Sequence, residues 1–77
     1  MQLHNPTTAD SIEIVVNGTT HHVPRGCTVT HLLTILDLDP ARVAIELNRT
    51  IVRRPSWETT ALAGADTLEI VQFVGGG

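Results

Sequence analysis

Only one stretch of this chain spaces its apolar residues as a helix does. Val29, Leu32, Leu33 and Leu36 form a single stripe over two turns. The other apolar residues fall in short runs that alternate or are bounded by turn residues, which is the pattern of strands. One helix in 77 residues covers one face of one sheet. The chain is therefore expected to be a single two-layer α+β domain, a mixed sheet of four to five strands packed on one helix.

The strands follow from local chemistry. Residues 1–10 are polar, contain Pro6 and show no periodicity, so they read as a disordered lead. Ile12, Ile14 and Val16 share one face of a first strand. Asn17-Gly18 is the strongest short hairpin signal, because both central positions of its turn need positive φ. Thr19–Val23 returns as the partner strand, and Pro24 and Gly26 end it. Thr28 is placed to cap the helix. His31 stands where a capping box would have Glu or Gln, so that cap is half built. The helix is expected to stop between Asp37 and Pro40, since Pro40 disfavours a helical Asp39.

Val43, Ile45 and Leu47 share one face of the next strand, Asn48-Arg49 turns the chain, and Thr50–Val52 is a short strand. Residues 55–62 read as irregular or a single helical turn, anchored by Trp57. Gly64-Ala65-Asp66 turns again into a last strand, Thr67–Val74, the most apolar. Leu68 and Ile70 should face the helix, and Glu69, Val71 and Phe73 the other side. The richest strand belongs in the centre, parallel to the first. The domain is expected over residues 11–74.

Composition narrows the function. The net charge of −3, with five arginines and no lysine, gives no support to nucleic-acid binding. Without lysine, no side-chain amine is available for a Schiff base or an isopeptide link. No apolar run reaches the length of a membrane span. The N-terminus has neither the basic start nor the apolar core of a signal peptide, so the cytoplasm is the expectation. A single cysteine, Cys27, rules out an internal disulfide and reads as a small part-buried residue rather than an activated thiol. His21 and His22 are adjacent on a strand and point to opposite faces. His4 lies in the lead and His31 has no partner at helical spacing, so no metal site is expected. No catalytic constellation and no phosphate-binding loop is visible.

Two features remain. Val71 and Phe73 would be exposed apolar groups on the open sheet face, a common mark of a partner surface. The last strand also runs straight into Gly75-Gly76-Gly77. Alone, three glycines read as a loose end, with no side chain to pack and much freedom to lose. Behind an apolar strand they also form a thin, bare lead ending in the Gly77 carboxylate.

The strand order is that of the ubiquitin-like β-grasp, and within it the chain resembles the ThiS family of sulfur carriers of thiamine biosynthesis. The resemblance is carried by Val16-Asn17-Gly18, by Gly26-Cys27-Thr28-Val29 leading into Leu32-Leu33, and by Val43–Asn48. It continues through Ile51-Val52-Arg53-Arg54 with Trp57 and ends with residues 64–77. It covers about residues 12–77. Arg49 stands where the family often has glycine, Ala65 is inserted in its Gly-Asp turn, and Arg53 replaces a common proline.

The resemblance implies a carrier and not an enzyme, a monomer when free, with no cofactor bound. It implies that the carboxylate of Gly77 is adenylated by a ubiquitin-activating-like partner of the ThiF type, which uses ATP and magnesium. Sulfur originating from a cysteine desulfurase then displaces AMP, and the thiocarboxylate donates it to a thiazole synthase of the ThiG type. Gly75 and Gly76 would be the access tail into closed active sites. Val71 and Phe73 would form the partner surface, with Arg53 and Arg54 as charges at its rim. The alternatives are the small subunit of molybdopterin synthase, a carrier for tRNA or cysteine sulfuration, or a β-grasp interaction module with an inert tail.

Overall fold

The computed structural model describes residues 10–74. The expected lead through residue 9 and the tail Gly75–Gly77 lie outside the described residues. Strands β1 (Ser11–Val16) and β2 (Thr19–Pro24) are followed by helix α1 (Val29–Ile35) and a 3-10 turn at Pro40–Arg42. Strands β3 (Val43–Leu47) and β4 (Thr50–Val52), a second 3-10 turn at Arg54–Ser56, and β5 (Thr67–Gln72) complete the order.

The sheet runs β2-β1-β5-β3-β4. β1 and β5 are parallel and the remaining pairs antiparallel. The two hairpins turn where the sequence demanded it, with Asn17 and Gly18 at φ 49° and 82°, and Asn48 and Arg49 at 49° and 71°. β5 is the central strand, and the β-grasp order is confirmed.

The core lies between α1 and one sheet face. Ile12, Ile14 and Val16 from β1, Val43 and Ile45 from β3, and Leu68 and Ile70 from β5 are buried there against Val29, Leu32 and Leu33. At about 25 cal/mol per Å² of apolar surface withdrawn from water, this one layer supplies most of the driving force for folding.

The helix start is completed by tertiary contacts. Thr28 Oγ1 accepts from the His31 N–H at 3.2 Å. The two N–H groups before it donate to the loop that follows β4, Val29 to Thr60 O and Thr30 to Trp57 O. That loop supplies what the missing capping-box carboxylate would not have reached, since the first N–H groups of any helix need outside acceptors. Trp57 fixes it in turn, being buried, with its indole Nε1–H donating to Val52 O at 2.8 Å.

Two boundaries differ from expectation. The helix ends at Ile35, ahead of the expected stop, with Leu36 as its C-cap and Asp37 beyond it at a left-handed φ of 58°. The Asp37 N–H donates to Thr34 O and the Leu38 N–H to Leu33 O, a Schellman closure made without glycine. Pro40 is not the stop; it opens the next turn. β5 ends at Gln72 rather than Val74, because β3 begins at Val43 and the chain before it is a 3-10 turn. Phe73 makes one last bond, donating to Arg42 O at 2.7 Å.

Candidate functional site

The face of the sheet away from α1 carries no covering layer among the described residues. In antiparallel strands, directly opposed residues share a face. Ala44 pairs with Val71, and Glu46 pairs with Glu69 on one side and Ile51 on the other. These residues therefore form one patch across β4, β3 and β5. Ile51 is 70% exposed, Val71 57% and Phe73 52%. Val74, the last described residue, is 93% exposed.

The patch divides into two adjoining hollows. Phe73, Arg53 and Arg54 line one together with Ile51, Ala44 and Trp57. Val71 lines the other with Ala44, Ile51, Glu46 and Glu69. The fold thus gathers Val71, Phe73, Arg53 and Arg54 around a residue the sequence reading passed over, Ile51. A signal for it existed. A two-residue turn at Asn48-Arg49 pairs Leu47 with Thr50, so Ile51 must oppose Glu46 on the open face.

The two arginines differ. Arg53 is exposed and makes no ion pair among the described residues. Arg54 is engaged: its guanidinium lies 4.8 Å from the centroid of the Trp57 ring and donates to Pro40 O. It ties the two 3-10 turns together, and a cation over an indole face stabilises such a contact by about 0.5–1 kcal/mol at an exposed site. Glu46 and Glu69 lie side by side with no cation bonded to either among the described residues. Like charges directly opposed across strands are unfavourable, which makes this end of the patch acidic at some expense in stability.

The remaining chemistry-bearing groups are quiet. Cys27 is buried, its S–H directed at Thr28 O, and burial pushes its thiol pKa up. A thiol of that kind is a packing group, not a nucleophile. Among the described residues no group of three or more His, Cys, Asp or Glu could hold a metal ion. Among them, too, no helix is long and apolar enough to cross a membrane. Asp66 organises the turn into β5, accepting from the Ala63 N–H and from Asn48 Nδ2.

Comparison with known proteins extends this geometry. Two curated relatives are thiazole synthases, from Magnetococcus marinus at 36% identity and Paramagnetospirillum magneticum at 39%, each over 66 residues and 86% of this chain. The chain spans only 20% of the length of either. A third, the uncharacterized protein ycf40 of Pyropia yezoensis, is 34% identical over 67 residues, 87% of this chain and 94% of that protein. A crystal structure of a thiamine biosynthesis protein (ThiS) from Geobacter metallireducens superposes with a TM-score of 0.74 at 30% identity, covering 86% of this chain and 100% of that one. A solution structure of a thiamine biosynthesis protein from the same organism gives 0.69 at 32%, over 86% of this chain and 88% of that one. The sequence model of the ThiS family matches residues 8–77. The chain belongs to the ThiS family of sulfur-carrier proteins.

Proposed function

We propose that this protein carries sulfur as a thiocarboxylate on Gly77 and delivers it to thiazole formation in thiamine biosynthesis. The observation that carries this reading is the extent of the family match, which runs over residues 8–77 and so takes in Gly75-Gly76-Gly77.

The chemistry explains why glycines follow a folded body. A carboxylate is a poor acyl donor because oxide is a poor leaving group. Attack by the Gly77 carboxylate on the α-phosphate of ATP releases pyrophosphate and leaves an acyl adenylate. The terminal sulfur of a persulfide, supplied in turn by a cysteine desulfurase, attacks the acyl carbon and expels AMP, leaving an acyl disulfide. A thiol then attacks the other sulfur of that bond, forming a disulfide and releasing the thiocarboxylate. The thioacid that results is soft and nucleophilic at neutral pH, so sulfur moves without release of free sulfide. The adenylating enzyme, of the ThiF type, brings the ATP and magnesium, and the carrier contributes only the acyl group. Gly75 and Gly76 pass where a β-carbon would collide. The patch of Ile51, Val71 and Phe73, with Arg53 at its rim, is the surface those enzymes grip.

Thiazole synthase is the favoured acceptor. Two proteins of that name contain a segment like this chain as one-fifth of their length. Joining a donor to its acceptor raises their effective concentration to the millimolar range, an arrangement that serves two groups that must meet. The test is reconstitution with ATP, a ThiF-type enzyme and a sulfur source, followed by growth of a thiamine auxotroph on the gene. Gly76→Val should abolish adenylation and complementation without shifting the melting temperature. Full activity of that variant, or of a chain extended by one residue after Gly77, would contradict the reading.

A further inference from the structure

The central strand is held unevenly, and the imbalance falls where the tail leaves. β1 follows β5 only as far as Leu68. Val15 donates to Asp66 O and Asn17 to Leu68 O, each at 2.9 Å, and the pairing stops there. The next rung of the ladder would bind Ile70, but Asn17 has turned away at φ 49°. Its side chain does the work its backbone has left. Asn17 Oδ1 accepts from the Ile70 N–H at 2.7 Å, and Nδ2 donates to Ile70 O at 3.0 Å. Past Ile70, β5 is paired among the described residues only with β3, through Gln72, and with Arg42 O at Phe73.

The turn alone does not explain the residue. Asn, Asp and Gly all suit its first central position. Only Asn offers one acceptor and one donor on a planar amide, the pair that a passing strand presents. Asp would set a carboxylate oxygen against Ile70 O, and Gly would present nothing.

We propose that Asn17 is a positioning residue for the transfer chemistry: its amide clamps Ile70 so that the tail departs from a fixed point. This rests on the carrier reading above. With the clamp in place, β5 is bonded on both sides to Ile70, five residues before Gly75. Without it, two-sided support ends at Leu68, and the arm that must be ordered when the tail enters a partner grows by two residues. β3 still holds one side of both residues, so only a fraction of the full ordering cost of each is at stake, together enough to weaken binding by about tenfold. The loss belongs to binding, since a seated tail has its geometry set by the partner, so KM should rise and kcat should stay.

Asn17→Gly is the discriminating variant, because glycine keeps the turn and removes only the clamp. Amide hydrogen exchange should accelerate at Ile70 while Ile14, Ile45 and Leu68 stay protected. KM for adenylation by the ThiF-type enzyme should rise about tenfold with kcat within about twofold of wild type. Asn17→Asp, which keeps the acceptor and loses the donor, should fall between. Unchanged exchange at Ile70 would show that no clamp exists. Faster exchange with an unchanged KM, or a loss in kcat alone, would overturn its role in delivering the tail. If the wild-type chain is not adenylated, the carrier reading falls and this inference with it. If wild type is adenylated and Asn17→Gly equals it, only the inference falls.

Discussion

Trp57→Phe tests how the loop after β4 is held. The indole is buried and its N–H donates to Val52 O at 2.8 Å, the carbonyl that ends the edge strand. Phenylalanine has no donor. The Val52 carbonyl keeps its ladder partner Ile45, so the loss is one part-buried side-chain hydrogen bond, about 1 kcal/mol. The smaller ring withdraws less apolar surface from water, a further loss of about 1 kcal/mol. The Arg54 guanidinium, 4.8 Å above the indole, also loses its better π partner. The sum is about 2–2.5 kcal/mol, against about 4–11 kcal/mol expected for a domain of this size. Trp57 is the sole tryptophan, so the assay is urea unfolding followed by far-ultraviolet circular dichroism. With a slope near 1 kcal/mol/M, the midpoint should fall by about 2 M or more. The melting temperature should fall by about 10–20 °C. A midpoint within about 0.5 M of wild type would refute the claim that the indole secures this loop and, through Thr30 N–H to Trp57 O, the helix start.

Other outcomes follow from the same geometry. Ile51→Arg and Val71→Arg should leave stability within about 0.5 kcal/mol, since both side chains are exposed beside Glu46 and Glu69, yet weaken binding to the adenylating partner at least about tenfold by calorimetry. Gln72→Pro should melt within a few degrees of wild type. The Phe73 and Asn48 bonds fix the odd-numbered residues of β5 as those exchanging with β3, so the Gln72 N–H faces the side β1 has left. Val71→Pro, by contrast, removes a ladder bond to β3 and leaves its carbonyl partner unsatisfied, which should cost about 1–3 kcal/mol. Cys27 should resist a thiol reagent at pH 8 and react at once in urea. Because burial raises its folded pKa, the unfolded chain loses the proton first. Stability should be level below the unfolded thiol value and decline as pH rises from there through the raised folded value, as read by urea midpoints across that range.

Much of the fold was legible because its signals are local. Asn17-Gly18 and Asn48-Arg49 fix two hairpins, and two-residue turns fix register. Alternation then places Ile14 and Leu68 inward and Val71 outward. What escaped depends on distant partners. Asp37 stood in the expected stop, but that it closes the helix in a left-handed turn is not visible until Leu38 is seen bonded to Leu33 O. That β5 stops at Gln72 depends on where β3 begins. Asn17 announced its turn, but its grip on Ile70, 53 residues away, needed the parallel pairing of β1 with β5. In the site, Val71 and Phe73 were read from strand parity, and Ile51 was missed because a three-residue strand gives too little alternation to judge. Arg54 was read as a rim charge, whereas its stacking on Trp57 follows from a turn whose shape the sequence does not specify.

The central claim is that Gly77 bears the transferred sulfur, and the intact mass of the chain tests it most directly. After incubation with ATP, magnesium, a ThiF-type enzyme, a persulfide donor and a thiol reductant, the mass should rise by the difference between one sulfur and one oxygen. Fragmentation should place the change on the last residue. An unchanged mass with an enzyme shown to be active, or a change located anywhere upstream of Gly77, would contradict it.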